Sequence, residues 1–369
     1  MKFSCSRPEL YEIVSNVSRA VSGKTSLAVL EGILIRAKAD TLSFLGYDLD
    51  LGIFAQMGAK VEEEGEIVLS AKLFVDMMRR MNGETVSIQT DEKYLTEIKS
   101  GATEFTILGI PSDEFPEIPS VQEEQSICLP QHLLKSMIDQ TLFAISTNDA
   151  KPVHTGSLFQ LSDRQLRVVS VDGFRLALRR EQVAAEGEAQ FIIPGKTLSE
   201  MSKLLSEEEE QEAKLYLSKK HVVIQIGQYR VISRLLEGEF LDYQAAIPQG
   251  GNTTVTVGVR PLIDSIERTS LLISDRLKSP LRIHFEQGQI KMSCSTAIGK
   301  AYDQLECQLE GDEVEIGFNN RYMLEALRAA GCDQVKLVIS GPLSPMKVLP
   351  MEGDSFLFLI LPVRLKSEI

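Results

Sequence analysis

One pattern of residues occurs three times along this chain and constrains the fold more than any other feature. Each copy begins with a helical segment and continues into strand-like residues: 7–10 (RPEL) with 42–48 (LSFLGYD), 130–133 (PQHL) with 166–172 (LRVVSVD), and 260–263 (RPLI) with 290–293 (IKMS). A second helical start follows in each copy, at 70–73 (SAKL), 194–197 (PGKT) and 320–323 (NRYM). These repeats are whole domains, since solenoid repeats span roughly 20 to 50 residues.

The periodicity within each copy predicts two amphipathic helices and several short strands. The first helix of the first copy has an apolar stripe of Leu10, Ile13, Val14 and Val17. Its second helix is predicted to end at a C-cap, Gly83. The residues that this helix is predicted to bury are Leu73, Phe74, Met77 and Met81. Alternating apolar residues predict strands at 215–217, 222–226, 335–339 and 356–361. We therefore predict α+β domains in which helices pack on one face of antiparallel sheet.

The length of the chain agrees with three such domains. Its 369 residues accommodate two or three domains of ordinary size, and the repeats favour three, at 1–120, 126–247 and 252–369. Three similar domains in a row suggest an arc, and an arc that closes on a second copy is a ring. An apolar fraction of 43% and a charged fraction of 25% are typical of a soluble globular protein.

The sequence predicts neither a membrane protein nor a secreted one. No apolar run approaches the roughly 20 residues needed to cross a bilayer, and the first residues lack a signal-peptide core. Five scattered cysteines form no C-x-x-C pair, so no zinc site or disulfide framework is predicted. We expect a reduced, cytoplasmic setting.

No catalytic residue, metal site or cofactor is predicted. The four histidines form no H-x-x-x-H pair, and the chain lacks G-x-G-x-x-G, G-x-x-x-x-G-K-[ST] and G-x-S-x-G motifs. Residues 195–197 (GKT) resemble the end of a phosphate loop, but a helix start explains them better because the upstream glycine is absent. Asp48, Asp50 and Asp172 are better explained by strand ends and turns than by metal binding. An enzyme with an unrecognised site remains an alternative.

Basic residues favour the outer faces of the predicted helices, although the net charge is −13. Acidic runs at 62–64 and 207–210 are interpreted as solvated loops. If the helices of a curved chain faced inward, they would line a channel with positive charge suited to sequence-independent phosphate contacts. The basic residues on or near these faces are Arg19, Lys72, Arg79, Arg80, Lys135, Lys196, Lys203, Arg268, Arg321 and Arg328.

Over its full length the chain resembles the bacterial DNA polymerase III β subunit, the replicative sliding clamp family. The resemblance depends on five motifs: 71–72 (AK), 114–116 (EFP), 171–177 (VDGFRLA), 315–319 (EIGFN) and 361–365 (LPVRL). It implies a head-to-tail homodimer whose six domains form a ring around double-stranded DNA, with twelve helices on the inner wall. It also implies a processivity subunit of the holoenzyme that binds DNA without sequence specificity, is not itself an enzyme, and needs an ATP-driven loader. A scaffold of the same fold that never encircles DNA is the other alternative.

The resemblance and the helix faces together give a predicted set of DNA-binding residues. Lys24 is included in this set because the resemblance implies a DNA-contacting loop at its position. The other members are basic residues on or next to the predicted helices. The set is Lys24, Lys72, Arg79, Arg80, Lys196, Lys203 and Arg321.

The family also implies a pocket that binds short linear peptides from the replicative polymerase, the clamp loader and repair proteins, with leucine or phenylalanine as anchors. Family members commonly have leucine at His154, often arginine at Lys151, and in some cases histidine at Phe174, so the peptide preference is expected to differ. The predicted pocket comprises Lys151, His154, Val171, Gly173, Phe174, Arg175, Leu176, Pro248, Met346, Leu359, Leu361, Pro362, Val363 and Arg364.

The seam between subunits is predicted to join the first domain of one chain to the third domain of the other. The resemblance points to Phe105 and Ile107 on one side and to Leu272 and Ile273 on the other. Core packing within a domain is the alternative for these four residues. Pairing across the seam would also cover a sheet edge that is otherwise prone to aggregation.

Overall fold

The computed structural model describes residues 1–23, 25–119, 121, 125–274 and 279–365. Contacts divide the chain into two compact units, Met1–Leu134 with Ser199–Leu235, and Lys135–Leu198 with Leu236–Ile369. The middle third of the chain therefore contributes to both units. The domain limits at 1–120, 126–247 and 252–369 stay predictions.

The described residues of the first third of the chain form two α-helices and nine strands. Helix α1 begins after Ser6, whose hydroxyl accepts a hydrogen bond from the Glu9 amide at 3.5 Å, and Pro8 needs no amide partner in the first turn. The elements are β1 (Lys2–Ser6), α1 (Arg7–Val17), β2 (Gly32–Lys38), β3 (Thr41–Tyr47), β4 (Leu51–Gly58), β5 (Lys60–Glu63), β6 (Gly65–Ser70), α2 (Ala71–Arg80), β7 (Thr85–Thr90), β8 (Leu95–Ser100) and β9 (Thr103–Leu108).

The middle third repeats the order of helix, strands and second helix. Strand β10 runs directly into the next helix, so Pro130 ends a strand and Gln131 begins the helix. The elements are β10 (Gln125–Pro130), α3 (Gln131–Leu142), β11 (Gly156–Ser162), β12 (Gln165–Val171), β13 (Arg175–Gln182), β14 (Ala189–Pro194), α4 (Gly195–Ser202), β15 (Glu212–Leu217), β16 (His221–Ile226), β17 (Tyr229–Arg234) and the short α5 (Tyr243–Ala246).

The last third has the same order again. Asn319 caps the second helix through its side chain, which accepts a hydrogen bond from the Arg321 amide at 2.9 Å. The elements are β18 (Thr253–Gly258), α6 (Val259–Thr269), β19 (Leu281–Glu286), β20 (Gln289–Thr296), β21 (Gly299–Glu306), β22 (Gln308–Gly311), β23 (Val314–Phe318), α7 (Asn320–Ala329), β24 (Gln334–Ile339), β25 (Met346–Leu349) and β26 (Phe356–Ile360).

The unit of Met1–Leu134 and Ser199–Leu235 contains two antiparallel sheets. One has the order β5-β1-β7-β8-β9, which leaves β9 at its edge. The other has the order β10-β15-β16-β17-β4-β3-β2-β6 and joins strands of the first and middle thirds where Val231 lies opposite Ile53. The predicted stripe of α1 is buried, since Leu10 and Ile13 are both 0% exposed.

The unit of Lys135–Leu198 and Leu236–Ile369 also contains two antiparallel sheets. Their orders are β14-β11-β12-β13-β26-β25-β24-β18-β22 and β21-β20-β19-β23. Strands of the middle and last thirds meet where Ala177 lies opposite Phe358. Leu262 of α6 and Met323 of α7 are buried in one core with residues of these sheets. The predicted α+β class, with helices packed on antiparallel sheet, is confirmed.

Two predictions about α2, the second helix of the first copy, were wrong. The buried residues of α2 are Ala71, Phe74 and Met78, whereas Leu73 is 51% exposed, so the helix is rotated from the predicted stripe. The helix ends at Arg80, and its C-cap is Met81 and not Gly83. Glycine is required at 83 for packing, because an added Cβ would lie 2.2 Å from the Ser100 hydroxyl oxygen. The predicted strands at 215–217, 222–226, 335–339 and 356–361 are confirmed as β15, β16, β24 and β26.

Candidate functional site

A basic side chain occupies the same position in the second helix of each repeat. Lys72, Lys196 and Arg321 are each the second residue of their helix, α2, α4 and α7, and each side chain is exposed. The amino end of a helix carries partial positive charge, so a cation there opposes the helix dipole. The helix dipole therefore does not account for the repeated positive charge, whereas an anionic ligand would.

The other predicted basic residues lie on the same helices or just after them. Arg79 and Arg80 form the exposed last turn of α2, and Lys203 follows the last residue of α4. Arg79 pairs with Asp76 at 2.5 Å. Lys24 lies outside the described residues.

Several basic residues of the first helices form ion pairs. Arg268 of α6 pairs with Asp303 at 2.6 Å, and Arg19, which follows α1, pairs with Glu200 at 3.4 Å. The Arg268 side chain is 60% exposed, and exposed ion pairs contribute little to stability, so this cation can exchange a carboxylate for another anion. An exposed basic side chain on this surface can therefore leave its carboxylate partner and bind another anion.

Three residues of the predicted peptide pocket belong to one buried apolar cluster. Val171, Leu176 and Leu359 lie on adjacent strands β12, β13 and β26, and all are less than 5% exposed. The cluster also contains Phe240 and Tyr243, which follow the last strand of the middle third. These side chains form an apolar floor against which an apolar anchor could pack.

A cavity of about 410 Å³ lies against this cluster, and Phe240 belongs to both. The predicted residues Lys151 and His154 line the cavity, and the His154 ring meets the Phe240 ring edge-on with centroids 5.4 Å apart. Burial and the nearby Lys151 charge lower the pKa of His154, so its ring is neutral at pH 7. The lining residues are Lys151, Val153, His154, Glu239, Phe240, Leu241 and Asp242.

Sequence reasoning missed Val153 and residues 239–242 of this cavity. A signal was present, because the same Glu-Phe pair ends the first copy at 114–115. In the first copy, Phe115 and Pro116 line a similar cavity of about 340 Å³. The phenylalanine of this Glu-Phe pair thus lines a cavity in both copies.

The turn between β12 and β13 places an exposed aromatic ring beside a buried cation. Gly173 has a φ of 90°, which favours glycine, and Phe174 is 59% exposed. Arg175 is only 7% exposed and donates from Nε to the Asp172 carboxylate at 2.9 Å. Its Nη1 donates to Glu325 of α7. The buried positive charge is thus balanced by two carboxylates, as burial requires.

Tyr322 of α7 is a further residue of this site that the sequence analysis did not predict. Its ring stacks on Phe174 at a centroid distance of 6.1 Å and lies 4.5 Å from the Arg175 guanidinium carbon. Burial would raise the pKa of Glu325, but hydrogen bonds from Arg175 and Arg321 outweigh burial, and that pKa is lowered. Glu325 is therefore ionised at neutral pH and holds a basic residue of each predicted site.

The chain after β26 passes beside this turn. The Leu361 amide donates to the Phe174 carbonyl at 2.9 Å, and the Val363 amide donates to the Gly317 carbonyl at 2.8 Å. Leu361 and Val363 are each 38% exposed, Arg364 is exposed, and Pro362 is half-buried. The exposed apolar surface therefore continues from Phe174 along the chain.

Two predicted pocket residues lie apart from this arrangement. Met346 is fully buried in the other core of this unit, with Val348 and Ile360, so it offers no surface to a ligand. Pro248 is near β25, where its carbonyl accepts a hydrogen bond from the Lys347 ammonium group at 3.2 Å. The remaining residues of the chain end, 366–369, lie outside the described residues.

The predicted seam residues lie at or beside sheet edges. Phe105 and Ile107 are half-buried on β9, the edge strand of the five-stranded sheet. Leu272 ends a 3-10 turn after α6, and its Cδ1 lies 3.6 Å from where a Cβ on Gly299 would stand, at the start of edge strand β21. Ile273 packs partly against the core. Among the described residues, β9 pairs only with β8 and β21 only with β20.

The described part of the chain contains neither a candidate metal site nor a candidate membrane-spanning helix. No group of three or more histidine, cysteine, aspartate or glutamate residues within the described ranges could hold a metal ion. In the same ranges, no helix has the length and apolar character that crossing a membrane requires.

Solved structures share this fold along the whole chain. A DNA polymerase sliding clamp from Bacillus subtilis has a TM-score of 0.94 at 32% identity and covers 99% of this chain and 100% of its own. A sliding clamp from Bartonella birtlesii, bound to griselimycin, has a TM-score of 0.93 at 29% identity with the same coverage. The architecture is that of a sliding clamp.

Family models assign each third of the chain. The N-terminal, central and C-terminal domains of the DNA polymerase III beta subunit match residues 1–119, 128–242 and 244–364. The Beta sliding clamp of Bacillus subtilis is 33% identical over 377 residues and covers 99% of this chain and 100% of its own. The chain belongs to the DNA polymerase III beta subunit family. The predicted family, the three clamp domains and the role of a processivity factor rather than an enzyme are confirmed.

Proposed function

We propose that two copies of this chain close head to tail into a ring around double-stranded DNA. The ring tethers the replicative polymerase to its template and so gives processivity in DNA replication. The observation that carries the proposal is the basic residue at the same position of the second helix in all three repeats, Lys72, Lys196 and Arg321. In a six-domain ring this position would recur six times around the duplex.

A ring holds DNA by topology, so its contacts need not be strong. The proposed DNA-binding residues are Lys24, Lys72, Arg79, Arg80, Lys196, Lys203 and Arg321, and those in the described ranges are exposed. Contacts from such residues to phosphate read no sequence and weaken with salt. The overall charge of −13 is compatible with this picture, because an acidic exterior would discourage DNA from binding outside the channel.

The unpaired edges of strands β9 and β21 support the proposed seam. Strand β9, with Phe105 and Ile107, would meet the region of β21, Leu272 and Ile273 in the other chain. Pairing would satisfy the free backbone groups of both edges and remove two sites of aggregation. Because the two surfaces differ, the contact is head to tail, and two such contacts close the ring.

We also propose that the apolar surface of the second unit docks short peptides of the polymerase, the clamp loader and repair proteins. The cavity beside His154 and the exposed Phe174 and Leu361 would receive apolar anchors of the peptide. The proposed site keeps the other predicted pocket residues, apart from Met346, whose burial argues against direct contact. The chain would need no cofactor and would work in the cytoplasm.

Retention on DNA of different topology tests the ring. The protein is loaded onto a nicked circular plasmid with a clamp loader and ATP, and free protein is removed by gel filtration at raised salt. We expect the protein to stay with the circle and to leave once a restriction enzyme linearises it. A protein that stays on linear DNA, or never associates with the circle, would indicate a scaffold of the same fold.

A further inference from the structure

The second helix of each repeat has a charge pattern that encircling DNA does not by itself explain. An acidic residue follows the first basic residue by four positions, and a second basic residue follows three positions later. Residues at this spacing share one helix face, so each face presents an acid between two bases. The three sets are Lys72, Asp76 and Arg79; Lys196, Glu200 and Lys203; and Arg321, Glu325 and Arg328.

Each acid of the pattern holds one of its two neighbouring bases. The basic partners, Arg79, Lys203 and Arg321, have side chains that are 54%, 46% and 74% exposed. Such exposed pairs are weak, and water or another anion can replace the carboxylate. The pairs are Asp76 with Arg79 at 2.5 Å, Glu200 with Lys203 at 2.8 Å and Glu325 with Arg321 at 2.9 Å.

Two of the acids also hold a base from another element. Glu200 accepts from Arg19 at 3.4 Å through its second carboxylate oxygen, and Glu325 accepts from the buried Arg175 in the same way. Each of these two carboxylates therefore forms ion pairs both with a base of its own set and with a base from another element.

We propose that Asp76, Glu200 and Glu325 compete with DNA phosphate for the basic residues beside them and keep the contact weak enough for sliding. The inference rests on the proposed function, because the carboxylates can compete only if these helices face the duplex. A base that moves from carboxylate to phosphate exchanges one exposed ion pair for another, so its net gain is small. The carboxylate left behind also repels the phosphate. The acids would thus set how loosely the clamp holds DNA.

The test replaces the carboxylates by amides of the same shape. The variant combines Asp76→Asn with Glu200→Gln and leaves Glu325 in place, because that carboxylate also balances the buried Arg175. The matched control is Glu62→Gln on β5, whose carboxylate pairs with Lys2 at 2.7 Å. A charge-conserving variant, Asp76→Glu with Glu200→Asp, separates charge from side-chain shape.

Binding of the full-length protein to a short fluorescent duplex is measured by anisotropy over a series of KCl concentrations. We expect the amide variant to bind about 3- to 10-fold more tightly, because the three ion pairs that Asp76 and Glu200 form are removed. Its plot of log Kd against log salt should steepen by about 1 to 2, because each newly neutralised phosphate contributes about 0.9. The Glu62→Gln control and the charge-conserving variant should match the unmodified protein.

Three results would overturn the inference. They are an affinity of the amide variant equal to that of the unmodified protein, an equal gain in affinity for the Glu62→Gln control, and an equal gain for the charge-conserving variant. The plasmid retention assay judges the ring separately. An unmodified protein that is retained on circles, with variants that all bind alike, would leave the ring standing and remove only the role of the acids.

Discussion

Truncation of Leu361 to alanine tests the proposed peptide site through an exposed apolar side chain. The backbone of Leu361 is fixed by the hydrogen bond to the Phe174 carbonyl at 2.9 Å, and its side chain is 38% exposed, so a peptide can cover only that fraction. The change to alanine removes three carbon atoms, each worth about 0.8 kcal/mol when fully buried. The loss in binding is therefore about 0.9 kcal/mol, or roughly five-fold in Kd.

Isothermal titration calorimetry with a synthetic peptide that carries leucine and phenylalanine anchors measures this loss. The matched control is Leu95→Ala on β8, where the leucine is similarly exposed, at 46%, but lies outside the proposed pocket. Sedimentation of both variants should show an unchanged dimer. Unchanged affinity for Leu361→Ala, or an equal loss in the Leu95→Ala control, would refute the assignment of this surface as the peptide site.

Three further predictions concern the seam, the buried arginine and pH. Leu272→Asp should place an unpaired charge in the seam and give monomers in sedimentation, and an intact dimer would reject this residue. Arg175→Met should lower the free energy of unfolding by about 3 kcal/mol, because it leaves the Asp172 and Glu325 carboxylates unbalanced; a loss below about 1 kcal/mol in urea titrations would contradict the network. Burial lowers the pKa of His154 below 6.5, so the unfolded chain binds more protons and stability falls as pH drops below 6.5. His154→Leu should make that fall shallower in melts at several pH values, and an unchanged slope would show that His154 does not contribute.

The repeated elements were predictable because local pattern determines them. Helical spacing at Leu10, Ile13 and Val14 gave α1, and alternation gave β15, β16, β24 and β26, since both signals lie within a few residues. The rotation of α2 was not predictable, because Leu73 and Met78 are both apolar and only tertiary contacts decide which one is buried. The prediction of Gly83 as the C-cap was wrong for a similar reason. The glycine is required by its packing against Ser100, which is distant in the sequence.

The candidate sites were predictable only in part. The position of Lys72, Lys196 and Arg321 follows from the repeat itself. The stacking of Tyr322 on Phe174 does not, because 148 residues separate the two rings along the chain and no local pattern relates them. The contact between Arg175 and Glu325 was missed for the same reason, because 150 residues separate the two, whereas Asp172 lies only three residues from Arg175.

Electron cryo-microscopy of the protein loaded on a primed circular plasmid would show directly whether the protein encircles DNA. We expect a closed ring of two chains with the duplex passing through it and with Lys72, Lys196 and Arg321 facing the phosphates. A duplex bound to the outer surface, or a single chain that does not surround the DNA, would contradict it.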